Sequence, residues 1–132
     1  MKRIFIMIAV LCMVFSSFAQ IPENLNVQTI TEEGKTDEFF PYTMTIEYLP
    51  ATGETFFTFS INMDLFEKST AMVTIRDRAE QFLKETKADD GVDQRYYAYS
   101  YRGADSTKYD SANKIVHYTS RIRFEEVRTS LY

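Results

Sequence analysis

The stretch "YTMTIEYLPATGETFFTFSINM", Tyr42–Met63, decides the architecture. Met44, Ile46 and Tyr48 alternate with Thr43, Thr45 and Glu47, and Phe57, Phe59, Ile61 and Met63 recur at every second position of the run that follows. A period of two is the signature of strands with one buried face. Between the runs, "LPATGE" (49–54) carries Pro50, which restrains the backbone, and Gly53, which frees it. That chemistry suits a tight reversal. The same letters resemble a cell-wall sorting signal, but such a signal ends in an apolar tail and a basic terminus close behind it. Here residues 55–132 follow, and they are patterned like a folded domain. The stretch is a hairpin loop.

Downstream of the hairpin the period changes. Asp64 and Glu67 have the spacing of a capping box, with Asp in place of Ser or Thr. Leu65, Met72, Ile75, Ala79, Phe82 and Leu83 then fall on one helical face, and "RDRAEQFLKETK" (76–87) is rich in helix formers. The β-branched Val73–Ile75 weakens the first turns. Gly91, in "KADDG", is placed to take a left-handed conformation past the helix end.

Two further strands are expected. "RYYAYSYR" (95–102) puts Tyr97, Tyr99 and Tyr101 on one face and Tyr96, Ala98 and Ser100 on the other. "KIVHYTSRIRFEEV" (114–127) puts Val116, Tyr118, Ile122 and Phe124 on an apolar face and His117, Thr119, Arg121, Arg123 and Glu125 on a polar one. The polar segment "GADSTKYDSAN" (103–113) between them reads as a long loop. Residues 20–40, including "NLNVQTI" (24–30), read as an N-terminal arm or an edge strand. The expected fold is a single α+β domain over residues 41–132. An antiparallel sheet of about four strands, in the order β-β-α-β-β, carries one amphipathic helix on one face.

The first twenty residues, "MKRIFIMIAVLCMVFSSFAQ", read as a cleaved secretory signal. Lys2 and Arg3 precede an apolar run, and Ser17 and Ala19 occupy the −3 and −1 positions of a bacterial-type cleavage site after Ala19. The run is shorter than the roughly 20 apolar residues of a spanning helix. Cys12 lies inside that run after Leu11, unlike a lipobox, where a small residue stands before a cysteine at the end of the apolar stretch. The expectation is a periplasmic or extracellular domain beginning at Gln20, without stable membrane insertion once the signal is gone.

That inventory narrows the chemistry. Cys12 is the only cysteine and leaves with the leader, so the exported domain has no thiol nucleophile, thiolate metal site or disulfide. Its stability must come from a core rich in tyrosine and phenylalanine, since tryptophan is absent. His117 is the single histidine, and no Gly-x-Ser-x-Gly element accompanies it. Zinc would have only His117 and carboxylates to hold it. Asp89, Asp90 and Asp93 lack the spacing of a calcium-binding EF-hand loop. Glu32–Glu33 and Glu125–Glu126 are adjacent acids, and on a strand adjacent side chains point to opposite faces. No cofactor is called for.

Residues 20–67 set nine acids against Lys35 alone, whereas residues 68–132 are slightly basic. An acidic exported domain is a poor nucleic-acid binder. The sequence points to a non-enzymatic binding module of the cell envelope that meets a protein or glycan through an exposed sheet face. Tyr96, His117, Arg121 and Arg123 are the expected contacts, flanked by Arg95 and Arg102, with residues 103–113 as a rim. The alternatives are a small hydrolase or lyase using carboxylates and His117, and a self-associating structural protein pairing through an open sheet edge.

Overall fold

The structure, a computed structural model, describes residues 26–88 and 90–126, so the leader and its cleavage site lie outside the described residues. Eight elements follow in order: β1 (Gln28–Lys35), β2 (Pro41–Tyr48), β3 (Glu54–Asn62), a 3-10 turn (Met63–Leu65), α1 (Lys68–Glu85), β4 (Tyr96–Tyr101), β5 (Ser106–Asp110) and β6 (Ile115–Glu126). The strands form one antiparallel sheet in the order β1-β2-β3-β6-β4, and β5 also pairs with β6. The class is α+β with a single helix, but the sheet has six strands rather than about four.

Both additional strands lie at sheet edges. β1 pairs with β2 along its whole length, from Gln28 opposite Tyr48 to Lys35 opposite Pro41, so part of the expected arm is an edge strand. β5 falls inside the expected loop 103–113. β6 accommodates it because it is twelve residues long. The first part of β6, Ile115–Thr119, pairs with β5, and the last part, Ile122–Glu126, pairs with β4. An edge strand with no deeply buried side chain needs no apolar alternation, and β5 ("STKYD") has none.

The Leu49–Gly53 segment is the hairpin turn expected from its composition. The amides of Thr52 and Gly53 both donate to Leu49 O, at 3.3 and 2.8 Å, and Gly53 takes a φ of +80°. Only glycine fits there, because a Cβ would stand 2.4 Å from the Phe124 carbonyl oxygen.

The core lies between α1 and one face of the sheet. Met44, Ile46 and Tyr48 of β2, Phe57, Phe59 and Ile61 of β3, and Val116, Tyr118, Ile122 and Phe124 of β6 are all buried there. From the helix come Ala71, Ile75, Ala79 and Phe82, at helical spacing. The two alanines let the helix approach β3, β4 and β6 closely, and Phe82 packs against Tyr48, Phe57 and Phe124 with ring centroids 5.0, 6.0 and 5.1 Å away. Each such buried aromatic contributes about 1.5–3 kcal/mol relative to exposure.

The helix boundaries differ from those expected. Asn62, rather than Asp64, supplies a side-chain cap: its Oδ1 accepts from the Asp64 amide at 2.8 Å and closes the 3-10 turn. α1 begins four residues after Asp64, and Leu65 belongs to the turn before it. Met72, expected on the apolar face, is 46% exposed, and Ala71 takes the buried position. The helix ends where the Thr86 hydroxyl and amide both donate to Phe82 O. Gly91, at φ +75°, serves the Ala88–Gly91 turn beyond it.

Candidate functional site: the open face of the sheet

Opposite α1, the sheet presents a second face over which no described helix or strand packs. Alternation assigns its residues. Thr43, Thr45 and Glu47 of β2, Glu54, Phe56, Thr58 and Ser60 of β3, and His117, Thr119, Arg121 and Arg123 of β6 all have the phase opposite to the core. The strand register then lines them up in rows. Thr31, Thr45, Thr58, Thr119 and Ser106 form one row that crosses five strands, every member bearing a hydroxyl. Neighbouring strands lie about 4.8 Å apart, and within the row Thr58 and Thr119 hydrogen-bond through their Oγ1 atoms at 3.0 Å.

The row beside it runs Glu33, Thr43, Ser60, His117 and Lys108. In it the Ser60 hydroxyl and His117 Nδ1 are 2.7 Å apart. On the other side lie Thr29, Glu47, Phe56 and Arg121. Glu47 is half-buried there, and its burial raises the carboxyl above its ordinary value. Arg121 donates from Nη2 and Nε to Glu54 Oε1 at 3.0 and 3.2 Å, with its guanidinium 5.8 Å from the Phe56 ring centre. Arg123 stands between Glu54 and Ser100 in the register, and its buried Nε has no hydrogen-bond partner among the described residues.

Three of the expected contact residues, His117, Arg121 and Arg123, therefore share one face of β6. Tyr96 does not join them, and its placement on the open face is corrected. β4 carries an irregularity between Tyr96 and Ala98, where Tyr96 faces Glu126 and Ala98 faces Glu125. One extra residue, Tyr97, shifts the alternation. Tyr96 consequently turns into the core with no exposed surface, and Tyr97 becomes 63% exposed. The Tyr96 hydroxyl meets that of Tyr48 at 2.6 Å, and burial is the largest cause of its strongly raised pKa.

Arg95 lies at the end of the sheet. It pairs with Glu126 at 3.1 Å, donates to Pro50 O at 3.3 Å and sits over the Tyr96 ring at 5.7 Å. Arg102 is exposed, and its amide extends the β6 ladder by donating to Arg121 O at 2.8 Å. The hydroxyl row was invisible in the sequence. The polar phases of β2 and β6 were legible, but their alignment depends on register between segments far apart in the chain.

Among the described residues no group of three or more histidine, aspartate or glutamate side chains is placed to hold a metal ion, and no helix is long and apolar enough to cross a membrane. Comparison with protein-family models, curated proteins and solved structures finds no match.

Proposed function

We propose that this domain is an exported, non-enzymatic binding module of the cell envelope, and that its open sheet face grips an extended anionic glycan. The row from Thr31 to Ser106 is the observation that supports this reading. Each hydroxyl both donates and accepts, so a regular row of them matches a polymer whose surface is itself hydroxyls. Large apolar anchors, the usual centre of a protein–protein contact, are scarce on this face, and among the described residues of β2, β3 and β6 Phe56 is the one phenyl ring it carries. Arg123, without an ionic partner among the described residues, supplies positive charge for carboxylate or phosphate groups, and Arg121 beside it, paired with Glu54, has guanidinium donors left over for them. Export rests on the leader sequence alone.

The test is retention of the purified protein on immobilised acidic and neutral polysaccharides. The acidic polymer should retain the protein, and retention should weaken with salt. The double variant Arg121→Glu/Arg123→Glu should pass through while keeping its circular dichroism spectrum. Equal retention of the variant would remove the open face from the function.

The Ser60–His117 pair favours a second reading, a small hydrolase with Ser60 as nucleophile and His117 as base. No carboxylate among the described residues hydrogen-bonds His117, so the ring lacks the orienting partner of a triad. Ester hydrolysis lost in both Ser60→Ala and His117→Ala would establish this reading, and undiminished turnover in either would end it.

A further inference from the structure

We propose that the cavity between α1 and the β4–β5 end of the sheet binds a small zwitterion with an apolar body, of the class of an aliphatic α-amino acid. The cavity lies on the helix side, away from the open face, and holds about 450 Å³. That volume is in the range of small-molecule sites. Its walls are Met72 and Val73 of α1 and Tyr101 of β4. These apolar side chains are 46%, 44% and 47% exposed, unlike their buried neighbours Ala71 and Ile75. An apolar ligand body would cover all three.

The floor is Ser120, on the core phase of β6, with only 1% of its surface exposed. No described residue hydrogen-bonds its hydroxyl, whereas the other buried polar side chain, Thr55, donates to Gly53 O. Ser120 lines the cavity, so its hydroxyl can donate to or accept from a ligand head group there.

The charges complete the argument. Arg76 and Asp105 both line the cavity and do not pair with each other. Among the described residues the Arg76 guanidinium pairs only with its exposed neighbour Asp77, at 3.4 Å. Asp105 accepts the Tyr118 hydroxyl and retains further lone pairs. One cation and one anion around a single apolar cavity are complementary to a molecule bearing both charges, and a fatty acid or a simple amine would satisfy only one.

The experiment is calorimetric titration and thermal unfolding of the purified protein with leucine, N-acetylleucine and leucine amide. Leucine should bind and raise the unfolding midpoint. N-acetylleucine, lacking the ammonium, and leucine amide, lacking the carboxylate, should each bind at least tenfold more weakly. Arg76→Gln should weaken leucine at least tenfold while leaving leucine amide unchanged, and Asp105→Asn should weaken leucine as much while leaving N-acetylleucine unchanged. Ser120→Ala, with an unaltered fold by circular dichroism, should weaken all three. Absence of leucine binding at millimolar concentration, or equal binding of leucine and its two singly charged derivatives, would overturn the proposal. The outcome is independent of polysaccharide retention, which Arg121 and Arg123 test on the opposite face.

Discussion

The hydroxyls of Tyr48 and Tyr96 meet at 2.6 Å although two strands, β3 and β6, separate β2 from β4 in the sheet. Three strand spacings amount to about 14 Å, and two tyrosines leaning together on the core side bridge that gap, with ring centres 6.3 Å apart. Removing one hydroxyl leaves the other buried without its partner. Tyr48→Phe or Tyr96→Phe should therefore cost about 1–3 kcal/mol, and the double variant should cost less than the two together. Urea unfolding of the four proteins in this cycle measures the coupling. Strict additivity would mean that the two hydroxyls do not depend on each other.

Gly53 and Gly103 separate backbone strain from collision. Both take positive φ, +80° and +79°, but a Cβ at Gly53 would meet Phe124 O at 2.4 Å and one at Gly103 would meet nothing within 4 Å. Gly103→Ala should cost about 1 kcal/mol from the left-handed conformation alone. Gly53→Ala should cost well beyond that, because the Gly53 carbonyl also accepts from the Phe124 amide at 2.9 Å and the clash pushes the two strands apart. Comparable unfolding midpoints for the two variants would show that the turn yields without disturbing β6.

Arg78 ties the helix to β1, the edge strand of the sheet. Its Nε and Nη2 donate to the two carboxylate oxygens of Glu32 on β1 at 2.9 and 2.7 Å, in side chains only 14% and 19% exposed. Paired hydrogen bonds of this kind, largely shielded from water, hold where an exposed ion pair would not. Glu32→Gln should destabilise the domain by about 1.5–3 kcal/mol. Arg78→Lys should rescue little, because an ammonium cannot make the paired contact. In hydrogen exchange, the β1 amides should lose protection before those of β3. Uniform loss across the sheet would deny the pair this local role.

Stability should fall on the alkaline side. Burial is the largest cause of raised pKa values at Tyr42, Tyr96, Tyr99, Tyr101 and Tyr118, with nearby carboxylates adding to the rise at several of them. An unfolded tyrosine titrates near pH 10. Above that pH the unfolded chain binds fewer protons than the native one, so stability decreases as pH rises. The contribution is complete below about pH 10 and is lost as pH climbs through the raised native values. Tyrosinate absorbance should lag and then rise together with loss of the folded circular dichroism signal. Smooth titration of all nine tyrosines near pH 10, without unfolding, would contradict this.

The elements that bury a face against the helix could be read from the chain alone. β2, β3 and β6 alternate strictly because every second residue is buried on the helix side of the sheet, and the LPATGE turn follows from Pro50 and Gly53. Ile75, Ala79 and Phe82 were legible for the same reason, since helical spacing brings them to one stripe. β1 and β5 were not, because an edge strand is held by backbone pairing on one side and places little demand on its side chains.

The rest was decided by tertiary structure. A single extra residue at Tyr97 sends Tyr96 into the core, and alternation within an isolated segment cannot announce a bulge that depends on the partner strand. The hydroxyl row and the Ser60–His117 contact arise from register between β3 and β6, whose residues are some sixty positions apart. Local sequence determines which face of each strand is wet, since burial acts residue by residue. Which wet residues become neighbours is determined only when the strands dock, because side-chain chemistry on an uncovered face exerts little force on the register that brings it together.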